Sequence, residues 1–439
     1  ADGLGRDADV GLAQKWYEKA AHWFSQAAAM DHKYAQYSLA GLYRRGRGVE
    51  QNDIRAFSLY MSSAEQGNPY ASLELAKMYR DGFGTEPDLQ QAEWRFQNAY
   101  SGFVVLEEKS HDDKLQYRIG QMLHTGTGTS KDDEGAARYW EKSAKLGNIN
   151  AQYALGTLWL ETGSGDSGQA VEWLTKAANA EHSAAQYVLG KLYQDGVYFN
   201  KDMDQAMKWF RSAAELGNEY AAYRMGCLLL LGEEIPKDVE AAVKWLSLSA
   251  EKGNPYAQYR LGMLYLKGEE FSPQVEVAMK WLQQAAEQKN EWAFYQLGKL
   301  YLSGEHVTKN VETAVHYLGL CAEKGNQYAQ YVLGKLYLCG RDVSRDREKA
   351  VEYLTASAEQ GNLYASFLLE HLDAYQDPSL FLAATRLLHH LEKLFCEEVQ
   401  RPMEMKRYQI DRKRRRKLSE KKQAQGHHRD DQEPAQGIY

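Results

Sequence analysis

Several residues in this 439-residue chain have types and spacings that chemistry uses. Two adjacent histidine pairs, His389-His390 and His427-His428, offer the commonest metal-ligating side chain. Neighbours on a helix point about 100° apart, and no cysteine or carboxylate spacing completes a zinc set, so no metal is expected. Gly46-Arg47-Gly48 and Gly126-Thr127-Gly128 mimic pieces of phosphate-binding loops. Neither follows a strand or leads into Gly-Lys-Ser/Thr, and a tight turn accounts for both. No Gly-x-Ser-x-Gly nucleophile turn is present, and the many carboxylates lie on loops and exposed helix faces, where nothing would tune them for proton transfer. The expectation is a protein that is not an enzyme, with no cofactor and no small-molecule substrate.

The chemistry that remains is recognition. Tyr220 and Arg224, Tyr256 and Arg260, Trp292, Gln296 and Lys299, and Tyr328 and Lys335 stand at i, i+4 and i+7 positions. That spacing puts each group on one helix face. Aromatic rings and arginines carry much of the energy at protein interfaces, so these nine residues are the candidate partner-binding site, for a protein or peptide. A second candidate is the unbroken run Arg412, Lys413, Arg414, Arg415, Arg416 and Lys417. Residues 401–423 hold 11 Lys/Arg against three Asp/Glu, within a chain of net charge -7. Such a run makes sequence-blind phosphate contacts with DNA through counterion release, or stays solvated as a tail. It has no apolar stripe for a membrane surface, and no uncharged apolar window is long enough to span one, so no membrane partner is expected.

The elements that must position these residues come from a repeat. The glycine of a Leu-Gly pair recurs at Gly120, Gly156, Gly190, Gly226, Gly262, Gly298 and Gly334, every 36 residues except for one interval of 34. Ala40 and Ala76 hold the same place in two earlier copies. A unit of that size cannot bury its own apolar face, so it must lean on its neighbours in a solenoid. Stacking also lets so long a chain escape the size limit of a single core.

One copy, 254–290, predicts a helical hairpin. Gly253 suits the left-handed residue after a helix, Asn254 an N-cap and Pro255 the first helical position. Helix A then carries Ala257, Leu261, Gly262 and Leu264 at helical intervals. Gly262 costs up to ~1 kcal/mol in helix propensity, which implies a contact too close for a Cβ. Gly268 ends helix A, and an acidic or amide residue caps helix B in most copies, as in Lys237-Asp238. On helix B, Ala278 and its equivalents permit close approach, with Trp209, Trp245, Trp281, Tyr317 and Tyr353 expected to fill the space beside them. The tyrosines Tyr37, Tyr117, Tyr153, Tyr187, Tyr223, Tyr259, Tyr295 and Tyr331 read as a ladder packing repeat on repeat. No period-two alternation appears, so the fold class is all-α.

The Ala-x-x-x-Leu-Gly-x-Leu-Tyr core, the Gly46-Arg47-Gly48-Val49 style of loop, the Lys-Asp pair and the Ala-x-x-Trp-x-x-x-Ala-Ala-x-x-Gly-Asn helix resemble the Sel-one-like repeat family, relatives of the tetratricopeptide repeats. The resemblance covers about residues 11–376. It implies a right-handed α-solenoid of about nine to ten helical hairpins that serves as a scaffold or adaptor, with the aromatic and cationic face of helix A lining a concave groove. The copy near Tyr70 carries extra residues around 100–109, and the copy near Ala151 has a shorter loop at 163–165; a local change of curvature is expected at each. Residues 377–395 and 410–431 resemble the ends of mobilisation relaxases of Gram-positive bacteria, which implies a noncatalytic accessory module with a basic DNA-contacting arm. The expected organisation is a solenoid over 1–376, a capping helix over 377–400 and a basic, partly helical or disordered tail over 401–439. Cys227, Cys321, Cys339 and Cys396 show no Cys-x-x-Cys spacing and read as reduced core thiols in a cytoplasmic protein. The opening residues lack a Met and enter a helix at once, as a partial chain would.

Overall fold

The computed structural model describes residues 10–163, 166–268 and 272–372. Twenty α-helices occupy them, with no strand among the described residues, as the repeat pattern requires. The chain divides between Tyr193 and Gln194 into two compact units. Unit 1 opens with α1 (Val10–Ala29). Four hairpins follow: α2 (Lys33–Arg45) with α3 (Asp53–Glu65), α4 (Pro69–Asp81) with α5 (Leu89–Ser110), α6 (Asp113–Thr125) with α7 (Asp133–Lys145), and α8 (Ile149–Thr162) with α9 (Ser167–Asn179). The division falls in the last turn of α10 (Ser183–Asp195). Unit 2 starts with α11 (Met203–Glu215) and also holds four hairpins. These are α12 (Glu219–Leu231) with α13 (Val239–Glu251), α14 (Pro255–Lys267) with α15 (Val275–Glu287), α16 (Glu291–Ser303) with α17 (Val311–Glu323), and α18 (Gln327–Cys339) with α19 (Arg347–Glu359). It ends with α20 (Leu363–Glu370). The expected capping helix at 377–400 and the tail at 401–439 lie outside the described residues.

Helix boundaries follow the punctuation in the sequence. Gly253 sits at φ +97°, and Asn254 Oδ1 accepts the N–H groups of Tyr256 and Ala257 at 3.0 Å. Asp238 caps α13 by accepting from Ala241 at 2.9 Å, and Asp132, Asp202, Asn310 and Asp346 cap their helices the same way. Gln274 is the departure, giving α15 no side-chain cap. The extra residues near Tyr100 go into α5, which runs for 22 residues where most helices have 13.

The contact inferred at Gly262 is present. A Cβ there would lie 2.7 Å from Leu282 Cγ and 3.2 Å from the Ala278 carbonyl, both on the other helix of its own hairpin. Gly226, Gly298 and Gly334 meet Leu246, Leu318 and Leu354 alike. The residue against the glycine is Leu246, Leu282, Leu318 or Leu354, while Trp209, Trp245, Trp281, Tyr317 and Tyr353, expected beside the alanines, are half-buried. Helical rotation decides it: the space opposite the glycine lies one turn beyond the close-approach alanine, at i+4, and the aromatic stands at i+3.

Two polar devices tie the tiers. A buried serine on helix B donates to the first turn of helix A in its own hairpin: Ser63 to Lys33 O, Ser143 to Asp113 O, Ser249 to Glu219 O and Ser357 to Gln327 O, at 2.6–2.7 Å. The buried glutamine of Tyr-Ala-Gln-Tyr donates to a last-turn carbonyl of the preceding helix B, as Gln258 does to Ala250 O at 3.1 Å. Each gives a buried side-chain donor a backbone acceptor on another helix, at a carbonyl that has a second lone pair to offer. Cys321 takes the serine place, donating to Glu291 O at 3.3 Å, and burial pushes its thiol up to about 12. Burial likewise raises the Cys339 thiol, and Cys227, Cys321 and Cys339 form no disulfide. Cys396 lies outside the described residues.

Candidate partner-binding face

Each helix A buries the side carrying its alanine, glutamine and Leu-Gly pair, which leaves the positions six and two residues before the marker glycine, and one after it, on the opposite side. In unit 2 those positions hold all nine candidate residues. Tyr220 is 52% exposed and Tyr256 49%; Arg224, Arg260, Trp292, Gln296, Lys299, Tyr328 and Lys335 are half-buried.

The sequence separates a tyrosine ladder from a second aromatic slot; the structure joins them. Tyr223 meets Tyr256 of the next hairpin at 6.2 Å between ring centres, Tyr295 meets Tyr328 at 6.4 Å, and Tyr331 meets Tyr364 at 6.1 Å. Each of these ladder rings thus supports the second-slot ring one tier on, Tyr256 exposed and Tyr328 and Tyr364 half-buried, which fixes its orientation before any partner arrives. The cations join the same rows. Lys299 lies 5.7 Å from the Tyr295 ring centre and Lys335 5.9 Å from that of Tyr331. Arg224 donates through Nη2 to Gln194 Oε1 at 2.7 Å, which anchors its guanidinium.

Charge on this face is one-sided. At these positions of α12, α14, α16 and α18 stand Arg224, Arg260, Lys299 and Lys335, and no Asp or Glu, although on α12 the position after the glycine is the buried Cys227. The same positions in unit 1 are mixed: Glu74 and Lys77 on α4 pair with each other at 2.7 Å. The sequence reading also passed over Tyr70 and Arg118 in unit 1. Tyr70 meets Tyr37 at a tilt and Phe103 edge to face, and the Arg118 guanidinium lies 5.5 Å from both the Tyr70 and Phe103 ring centres. Their positions, six before Ala76 and two before Gly120, were the signal available. The run Arg412, Lys413, Arg414, Arg415, Arg416 and Lys417 lies outside the described residues. No group of His, Cys, Asp and Glu able to hold a metal occurs among the described residues, and no described helix is long and apolar enough to cross a membrane.

With the repeat geometry in view, the family can be stated. The model of the Sel1 repeat matches the chain eleven times, from residues 1–22 to residues 327–362. The chain belongs to the Sel1 repeat family. Solved structures with this fold include a protective antigen of uropathogenic Escherichia coli, 27% identical with a TM-score of 0.55, covering 84% of this chain and 78% of that one. A Sel1 repeat protein from Oxalobacter formigenes is 29% identical with a TM-score of 0.50, covering 73% and 90%. Among named proteins, an exopolysaccharide production negative regulator of Rhizobium meliloti is 29% identical over 33% of this chain and 57% of its own length. A chitin synthase regulatory factor of Schizosaccharomyces pombe is 31% identical over 23% of each. This Sel1 repeat chain thus spans little more than half of the first of these regulators. The resemblance of residues 377–395 and 410–431 to mobilisation relaxases finds no support in these matches.

Proposed function

We propose that this Sel1 repeat protein is a noncatalytic scaffold that docks a polypeptide partner on the helix A face of unit 2. The observation that carries the reading is the row of braced, half-exposed aromatic rings flanked by cations without a carboxylate at the same positions of α12, α14, α16 and α18. Rings already held by their neighbours lose little freedom on binding, so more of the contact energy reaches the affinity. Regulators among the relatives suit a protein that acts by binding, and parts of them match this chain. The cytoplasm belongs to the same proposal, since a buried thiol such as Cys321 is kept in its reduced form there.

The test uses peptides selected from a random display library on the intact protein. Tyr256→Ala combined with Lys299→Ala should weaken their binding at least tenfold by fluorescence anisotropy while leaving the melting temperature within a degree or two. Selected peptides that bind the double variant as tightly as the parent would overturn the assignment of this face.

A further inference from the structure

Each unit holds a cleft at the same place in the repeat, between the end of one helix B and the flank of the next. In unit 2 it measures about 400 Å³, and Ala250, Gly253, Gln258, Trp281 and Gln284 line it. In unit 1 it measures about 470 Å³, and the corresponding residues are Ala64, Gly67, Ser72, Arg95 and Asn98. Register decides the comparison: Arg95 stands three residues after Ala92, where Trp281 stands three after Ala278. The slot holds Tyr139, Trp173, Trp209, Trp245, Tyr317 and Tyr353 in other copies. The copy after Ala56 has Leu59 there, so the second hairpin of unit 1 puts a permanent positive charge where the other copies use a ring or an aliphatic side chain.

That charge is not neutralised within the structure. Arg95 is only 8% exposed. Its Nη2 points at the Met61 sulfur at 2.9 Å, its guanidinium lies 4.4 Å from the Trp94 ring centre, and its buried Nε has no acceptor. No carboxylate among the described residues pairs with it; Glu65 lines the same cleft but is exposed and acts only through space. Burial pulls the guanidinium below the usual arginine pKa. A buried cation without a partner is costly, and thioether and ring contacts recover only part of the lost hydration. Asn98 is exposed on the rim, and Trp94 and Pro69 give the cleft apolar walls.

We propose that this cleft in unit 1 is a carboxylate-binding site in which Arg95 supplies the charge. A planar carboxylate matches the guanidinium fork. One guanidinium with Glu65 on the rim suits a singly charged group and disfavours phosphate, whose second charge would meet no second cation. The ligand is a carboxylate attached to an apolar body that lies along Trp94 and Pro69. It is either a small acid or the free end of a polypeptide. The site does not depend on the helix A face of unit 2, which is formed by other helices.

Calorimetric titration of the full chain with four probes tests this: benzoate, a hexapeptide with an apolar last residue and a free C-terminal carboxylate, the same peptide amidated, and inorganic phosphate. The wild type should saturate with benzoate or the free peptide and not with the amide or phosphate. Saturation by the peptide alone identifies a polypeptide terminus, and saturation by benzoate a small acid. Arg95→Trp, which restores the repeat's own ring, and Arg95→Met should each lose at least tenfold in affinity. Without probe, both variants should melt at or above the wild-type temperature, since a buried charge has been removed. The proposal is overturned if no carboxylate probe saturates the wild type, if both variants bind it undiminished, if phosphate or the amide binds as well, or if the variants melt well below the wild type.

Discussion

The turn from helix A to helix B is anchored to the preceding tier in two different ways in the two units. In unit 1 the second glycine of the turn, Gly48, Gly84 or Gly128, adopts φ of +67° to +70°. Its backbone lies directly on the preceding hairpin or helix: a Cβ on Gly48 would come 2.2 Å from the Tyr17 carbonyl carbon, and one on Gly84 or Gly128 2.3 Å from Asp53 or Phe96 backbone atoms. In unit 2 the corresponding sequence position holds no glycine but Tyr198, Glu234, Glu270, His306 and Asp342, and Glu234 and Asp342 form ion pairs across tiers. These two reach back to the lysine of the preceding turn, Lys201 to Glu234 and Lys309 to Asp342, the latter at 2.5 Å. The first arrangement depends on the absence of a side chain and is insensitive to salt. The second depends on two long, partly exposed side chains and is screened. The fragments that mimicked phosphate loops in the sequence are thus seats for backbone.

The largest expected effect breaks the unit 1 arrangement. Gly128→Val forces a branched residue into a left-handed conformation and into the Phe96 carbonyl. It should cost about 2–5 kcal/mol, read as a lower denaturant midpoint with amide exchange speeded in α5 to α7. Glu234→Gly in unit 2 should cost far less, since no such seat exists there; equal losses for the two would end the distinction. A smaller effect sharpens it. Lys201→Met and Lys309→Met should each lower stability by about 0–1 kcal/mol, and the loss should vanish at 1 M NaCl.

The subtlest effect is in pH. Helix A is capped by Asn218, Asn254, Asn290, Asn326 and Asn362 in unit 2, whereas unit 1 uses His32 and His182 in two tiers. Neutral His182 accepts the Ala185 N–H at 3.1 Å and stacks on Tyr153, and burial holds its pKa below the usual histidine value. Above pH about 6.5 the ring is neutral whether the chain is folded or not, and its stabilisation is complete. As pH falls below that, the unfolded chain takes up the proton first, so stability declines until the folded ring also titrates at its lower value. Protection of the α10 amides, relative to their intrinsic exchange rate at each pH, should therefore fall as pH drops below about 6.5, and His182→Asn should remove the change.

Much of this was legible in the chain itself. Gly253, Asn254 and Pro255 define a helix boundary by local chemistry alone, and Gly262 announced a close contact because a mid-helix glycine has a cost that only packing offsets. The identity of the contact was not legible, and Leu282 rather than Trp281 meets that glycine. Ser249 and Gln258 look like ordinary surface polar residues in the sequence. Their acceptors lie 30 and 8 residues away on other helices, and only the packing makes them buried ties. Arg95 likewise reads as one more charged helix residue until its burial is known.

By itself the sequence determined the repeat, its period, the helix ends and the all-α class, because these rest on backbone preferences and on apolar spacing within about a dozen neighbouring residues. The tertiary structure alone decided which ring supports which across tiers, which turns rest on backbone and which on ion pairs, and where a charge lies buried without a counterion. Those depend on distances between residues some 30 positions apart, and no local preference encodes them.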